Sequence, residues 1–227
     1  GGSIADSYAS GLIAGHEYVG GLVGYSTRAI DRSAARVSIT VIRSEESNAQ
    51  EFGGLVGRNA GRITSSFAES SFQFFGTGLP VTNLGGLVGY HSSKRIETSY
   101  AIADMSQITS DTIEAEKVGC FIGQSTIPNR GYNDVVGSYC VGDVPSGAYA
   151  FAGTNRLGGH ELYGQSNLYD SDVEWNNSDP IALGVPTGVF SSEDLLSSLD
   201  PIWYFLTHLT YEVSSTGYPT LRDNQFD

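Results

Sequence analysis

The sequence predicts an all-β fold, a β-solenoid of about five coils closed by a C-terminal cap that contains a short helix. The first observation is a repeat. Gly-Gly-Leu-Val-Gly starts at Gly20, Gly53 and Gly85, a degraded copy (Gly-Cys-Phe-Ile-Gly) starts at Gly119, and a fainter one (Tyr-Ala-Phe-Ala-Gly) starts at Tyr149. Successive copies are 33, 32, 34 and 30 residues apart. A second landmark keeps step with the first: Ser7-Tyr8-Ala9, Ser33-Ala34-Ala35, Ser66-Phe67-Ala68, Ser99-Tyr100-Ala101 and Ser138-Tyr139-Cys140. Three residues before each stands Ile4, Ile30, Ile63, Ile96 or Val135. The third observation is that the local chemistry refuses a helix. Each glycine of a pair costs roughly 1 kcal/mol relative to Ala inside one, and no 3.6-residue apolar stripe crosses the blocks. A β-prone piece that recurs every ~30 residues with no helix between pairs most simply with its own copies, about 4.8 Å apart.

Taken in order, each coil should offer three walls. The first is Gly-Leu-Val-Gly, and register predicts that Leu22, Leu55, Leu87 and Phe121 stack in one column. Ile-x-x-Ser-aromatic-Ala forms the second, with Ser and Ala turned inward so that backbones approach closely. Its other face carries Asp6, Arg32, Ser65, Thr98 and Gly137. By alternation Tyr8, Phe67, Tyr100 and Tyr139 share that outer face, either as an exposed ladder or under a covering loop. A third wall is expected from variable segments such as "RVSITVI" and "ADMSQIT". Among the loops, "FQFFGTGLPVTNL" places Phe72, Phe74 and Phe75 where a contact surface is expected. Residues 1–158 form the repeats and 159–227 the last coil and cap, as parts of one domain. Ser191-Ser192-Glu193-Asp194 before Leu195-Leu196 reads as a capped short helix, and Trp203, Tyr204, Phe205, Leu206 and Tyr211 supply apolar mass beyond it. The opening "GGSIADSYASG" matches the second half of a repeat, so the expectation is a piece of a longer polypeptide.

These blocks, at 20–35, 53–68 and 85–101 with a weaker copy at 119–140, resemble the GLUG repeat of bacterial surface proteins, which include large adhesins and some immunoglobulin-A-cleaving proteases. The tail segments "SNLYDSDVEWNN" and "VFSSEDLLSSLDPIWYF…GYPTL" are similar to the acidic segment and the closing helix with its Tyr-Pro-x-Leu ending that such repeats carry after them. The resemblance implies an extracellular or cell-surface module, and the repeat specifies a scaffold more strongly than an activity.

Composition narrows the chemistry. A net charge of −13 repels phosphate backbones, so no nucleic-acid partner is expected. Residues 159–227 alone hold 11 Asp and Glu against one Arg222. No apolar run is long enough to insert in a membrane. Cys120 and Cys140 fit no metal pattern; two buried thiols are expected, with a disulfide as the alternative. His16-Glu17 and His160-Glu161 lack the second His, four residues on, that a zinc-protease helix needs. No nucleophile elbow or phosphate loop occurs. The outer positions hold no row of carboxylates for a polysaccharide lyase or glycosidase, the alternative function. No cofactor is expected, with calcium as the one candidate. Asp170, Asp172 and Glu174 alternate like the start of a calcium loop but lack its Gly and closing Glu. The expectation is therefore a non-catalytic module for adhesion, binding a host or environmental glycan or surface protein, or acting as a spacer within a larger surface protein. The ligand contacts expected are Tyr8, Phe67, Tyr100 and Tyr139, or Phe72, Phe74 and Phe75.

Overall fold

The computed structural model describes residues 2–126 and 135–153, with the shorter segments 164–165, 167–170, 182–185, 211–213 and 219–221. The described chain is all-β, with only two single turns of 3-10 helix, Ser110–Thr112 and Ala115–Lys117. The first repeat supplies β1 (Ile4–Ala5), β2 (Tyr8–Gly15), β3 (Glu17–Gly20) and β4 (Val23–Ser26). The second supplies β5 (Ile30–Asp31), β6 (Ala34–Ile42), β7 (Gln50–Gly53) and β8 (Val56–Asn59). From the third come β9 (Ile63–Thr64), β10 (Phe67–Phe75), β11 (Thr82–Gly85) and β12 (Val88–His91). The fourth gives β13 (Ile96–Glu97), β14 (Tyr100–Asp104), β15 (Val118–Gly119) and β16 (Ile122–Ser125). Beyond it lie β17 (Val135–Val136), β18 (Tyr139–Asp143), β19 (Gly164–Gln165), β20 (Leu168–Asp170) and β21 (Leu183–Val185). An antiparallel pair, β22 (Tyr211–Val213) with β23 (Pro219–Leu221), stands apart from these.

Like strands collect. A six-stranded sheet runs β1-β5-β9-β13-β17-β19, a seven-stranded one β2-β6-β10-β14-β18-β20-β21, and two four-stranded ones run β3-β7-β11-β15 and β4-β8-β12-β16. Pairing within these four sheets is parallel and, except between β20 and β21, follows the repeat register, as in Ile4↔Ile30↔Ile63↔Ile96↔Val135. The leucine column forms as expected. Leu22 N–H donates to the Leu55 carbonyl at 2.9 Å, Leu55 to Leu87 and Leu87 to Phe121, and Phe121 continues it to Phe151. Bridges Gly119↔Tyr149 and Ile122↔Ala152 put the faint fifth copy in the same register.

The three-wall expectation needs correction. "RVSITVI" is no separate wall; it continues the aromatic-Ala segment as the long strand β6. Between Ile-x and the aromatic residue the chain instead turns a corner. Asp6, Arg32, Ser65 and Thr98 adopt left-handed φ of 41–48°, and Gly137 has φ 57°. Such a conformation strains any residue with a Cβ. A column of serines holds the corner in place. Ser33 N–H donates to Ser66 Oγ at 3.2 Å, Ser66 N–H to Ser99 Oγ at 3.3 Å and Ser99 N–H to Ser138 Oγ at 3.2 Å, while each of these hydroxyls donates to the carbonyl two residues earlier. Asn167 takes the next place, accepting from Ser138 N–H at 3.1 Å.

Close approach explains the glycines of the block. A Cβ on Gly54 would stand 2.8 Å from that of Ala68, across the interior. Gly21 faces Ala35, and Gly86 faces Ala101 and Ala103, in the same way. Between the fourth repeat and the one after it this facing pair is Cys120 and Cys140, which form a disulfide with Cα atoms 5.9 Å apart. The expectation of two thiols is thereby corrected: the register places them in bonding range. The short helix expected from Ser191 to Leu196 and the apolar residues Trp203–Leu206 beyond it lie outside the described residues.

Candidate ligand-binding surface

Residues on the long strands alternate between a core face and an outer face. Ala35, Ala68, Ala101 and Cys140 belong to the core, with Ile39 and Phe72 further along. Phe67, Tyr100 and Tyr139 point the other way and stack as the register requires. Ring centroids are 4.7 Å apart for Phe67–Tyr100 and 5.0 Å for Tyr100–Tyr139, with planes within 5°. All three rings are buried, so alternation identified the face but not its exposure. The Arg36 guanidinium lies 5.7 Å over the Phe67 ring and is paired with Glu69 at 3.0 Å. Of the four ladder residues only Tyr8 is exposed; the second repeat interrupts the row with Ala34.

The phenylalanine loop is also split. Phe72 is buried in the core, Phe74 is half-buried under Arg43, whose guanidinium is 5.8 Å from its ring, and Phe75 is exposed. Phe75 is in register with exposed Ile42, and exposed Leu79 donates its N–H to the Ser44 carbonyl in the adjoining loop. His16 braces that loop through the Ile42 carbonyl at 2.8 Å and Ser47 Oγ at 2.7 Å, a structural use of one of the two His-Glu pairs. His160-Glu161 lies outside the described residues. So do Asp172 and Glu174, while of Asp170 only the backbone is described, at the end of β20. No group of three or more His, Cys, Asp or Glu able to hold a metal occurs among the described residues.

A different aromatic surface lies on the sheet containing β4, β8, β12 and β16. The residues that come directly after the fifth position of the glycine block, Tyr25, Arg58, Tyr90 and Gln124, are in register; the first three reach the surface and Gln124 is buried. Arg58 is central. Its guanidinium lies 4.8 Å from the Tyr90 ring centroid, 5.9 Å from Tyr25 and 6.0 Å from Tyr18, inside the range for cation–π attraction. Tyr18 and Tyr25 have centroids 6.4 Å apart and are 39% and 56% exposed. The Tyr90 hydroxyl is bonded to Thr126 Oγ1 at 2.6 Å.

Tyr18 reaches this surface because a second left-handed turn precedes the glycine block. Tyr18, Glu51 and Asn83 have φ of 53°, 65° and 57° in successive repeats. The turn carries Glu51 to Arg58, Oε1 standing 3.3 Å from Nη1. Glu51 is buried, and its Oε2 has no hydrogen-bond partner among the described residues. Burial raises its pKa above the usual carboxylate range, against the lowering pull of Arg58 and with a further push from Glu17. Gln50 Nε2 donates to Glu17 Oε1 at 3.3 Å on the rim. The surface thus offers exposed tyrosine faces around one oriented guanidinium, with carboxylate and amide groups beside it. None of Tyr18, Tyr25, Arg58 and Tyr90 was expected from the sequence as a ligand contact, and Glu17 was considered only as part of a His-Glu pair. The signal that could have found them was the position after each glycine block, which reads Tyr, Arg, Tyr, Gln along the repeats. Compared with known proteins, the chain matches no family model, no curated protein and no solved structure.

Proposed function

We propose that the chain is a non-catalytic β-solenoid module of a bacterial surface or secreted protein, and that it binds carbohydrate on its flank. The solenoid reading rests on parallel, in-register pairing of each repeat with the next in four sheets, and the setting on the likeness of its blocks to the GLUG repeat. A disulfide between Cys120 and Cys140 supports an oxidising, extracellular environment. The observation that carries the binding role is the cluster of Tyr18, Tyr25 and Tyr90 around Arg58. Pyranose rings present apolar C–H faces that stack on aromatic rings, while their hydroxyls need donors and acceptors at the edge. Arg58, Gln50 and Glu17 supply those groups.

A glycan array followed by calorimetric titration tests the reading. Tyr25→Ala should abolish or strongly weaken binding with little change in melting temperature, because the ring is mostly exposed. Tyr100→Ala should lower the melting temperature, because that ring is buried. Wild-type protein that binds no glycan would sink the proposal. A protein partner is the second reading, favoured by the apolar patch of Ile42, Phe75 and Leu79; Phe75→Asp would then weaken binding where Tyr25→Ala does not.

A further inference from the structure

Cations are spread unevenly over the stack. Nine Lys and Arg lie among the described residues. Five of them, Arg32, Arg36, Arg58, Arg95 and Lys117, are in ion pairs, and Arg43 donates to the Gly78 and Leu79 carbonyls. The remaining three, Arg28, Arg62 and Lys94, are exposed and have no ion-pair partner among the described residues. All three fall at one corner of successive coils, just before β5, β9 and β13. The inward column of Ser26, Asn59 and His91 holds the backbone of that corner. Ser26 Oγ donates to the Arg28 carbonyl at 3.1 Å, Asn59 Nδ2 donates to the Gly61 carbonyl at 2.7 Å, and His91 Nε2 is bonded to the Lys94 carbonyl at 3.1 Å. Neighbouring coils are tied there as well, Ile30 N–H donating to the Arg62 carbonyl at 2.8 Å and Ile63 N–H to the Arg95 carbonyl at 3.1 Å. Two acids close by in sequence are already engaged, Asp31 with Arg32 and Glu97 with Arg95. The corner therefore carries a row of uncompensated positive charge, one cation per coil. The net charge of −13 does not cancel it, because exposed charges more than about 8 Å apart are largely screened at physiological ionic strength.

The tyrosine flank leads directly into this row: Tyr25, Arg58 and Tyr90 stand three or four residues before Arg28, Arg62 and Lys94. We infer, resting on the carbohydrate reading of this flank, that its ligand is an acidic glycan. It lies along the stack with sugar faces on the tyrosines and carboxylate or sulfate groups on Arg28, Arg62 and Lys94. Successive coils are about 4.8 Å apart, close to the length of one pyranose residue in an extended glycan. A chain charged on successive sugars thus meets the cations at the repeat of the stack.

Calorimetric titration with polygalacturonate, which carries only carboxylates, with dextran sulfate, which carries only sulfates, and with neutral dextran tests this at several salt concentrations. At least one charged polymer should bind and neutral dextran should not; the polymer that binds identifies the anionic group. Release of counterions from three contacts should make log affinity fall with log salt at a slope of about −2. Arg28→Gln with Arg62→Gln and Lys94→Gln should flatten that slope and weaken binding ~10-fold or more at an unchanged melting temperature, since all three side chains are exposed. Tyr25→Ala should weaken the same binding. The acidic-glycan assignment is overturned if the triple variant keeps the affinity and slope of the parent, if Tyr25→Ala has no effect, or if single-stranded DNA of matched length binds equally well. A neutral glycan that binds through Tyr25 while both charged polymers fail would overturn it and leave the carbohydrate reading standing. Absence of binding to any glycan, charged or neutral, would remove both.

Discussion

Acid should destabilise this protein through one residue, His91, by an amount the structure allows to be worked out. His91 belongs to the inward column Ser26, Asn59, His91, Ser125. Asn59 Oδ1 accepts from Gly61 N–H at 3.0 Å and its amide nitrogen donates to the Gly61 carbonyl at 2.7 Å, so that nitrogen also faces His91 Nδ1, 3.1 Å away. Nδ1 is therefore the acceptor, and Nε2–H donates to the Lys94 carbonyl at 3.1 Å. The imidazole is neutral, fully buried, and without room for a second proton. Burial lowers its pKa from 6.5 to about 4, outweighing the pull of the Lys94 and Asn59 backbone, which acts the other way. A histidine whose folded-state pKa is depressed contributes stability above pH 6.5 that is lost as pH falls toward 4. At 1.36 kcal/mol per unit the full loss is about 3 kcal/mol, and about 2 kcal/mol is gone by roughly pH 5. Urea unfolding at neutral pH and at the lower values measures it. His91→Asn, which borrows the residue used one repeat earlier, should remove most of this slope. Glu51, with its raised pKa, works in the opposite sense but is present in both proteins and cancels in the difference. If the substituted protein loses stability with acid as steeply as the parent, His91 is not the buried neutral group described.

Three further outcomes are expected from the corners and the disulfide. Ser99→Ala strips the acceptor from the buried Ser66 N–H and the donor from the Glu97 carbonyl, and should cost about 2 kcal/mol in denaturant unfolding. Thr98→Asn should raise stability by about 1 kcal/mol, because Thr98 holds a left-handed φ of 45° that asparagine tolerates better than a β-branched residue. Reducing Cys120–Cys140, separated by 20 residues, should lower stability by about 3 kcal/mol from loop-closure entropy, read as a shift in melting temperature that Cys120→Ala/Cys140→Ala reproduces.

The all-β class and the parallel pairing were legible because they depend on one quantity, the register, which the repeat prints along the chain. Once Gly20 aligns with Gly53 and Gly85, Leu22 must pair with Leu55 and Ile4 with Ile30. The facing of residues across a coil was not legible, because it depends on where the chain turns. The turns are made by residues that disguise them: Arg32, Ser65, Thr98 and Glu51 take left-handed conformations that sequence reasoning reserves for glycine and asparagine. They can do so because stacked neighbours over-determine the corner, the serine column on one side and paired strands on both. Alternation carried through such a corner misplaces the walls, which is why "RVSITVI" reads as a wall of its own.

The same reasoning locates where the repeat's departures become informative. Gly54 faces Ala68 at close range, and a Cβ on it would stand 2.1 Å from the Gly86 carbonyl of the next repeat and 2.8 Å from the Ala68 methyl. Larger side chains at both positions collide unless the two atoms that meet are bonded. Cys120 at the glycine position and Cys140 at the alanine position meet that condition, and the register that aligns Cys140 with Ala101 aligns Cys120 with Gly86. A disulfide is thus an enlargement of this pair that spans the close facing distance, once the backbone carbonyl of the next repeat gives room to the added Cβ. The prediction for a transplant is correspondingly strict. Gly54→Cys with Ala68→Cys should form a second disulfide, between the second and third repeats, and melt above Gly54→Cys alone, which should melt below the parent because the added Cβ meets the Gly86 carbonyl 2.1 Å away. Equal melting of the single and double variants would mean that the facing geometry inferred from the glycines is wrong.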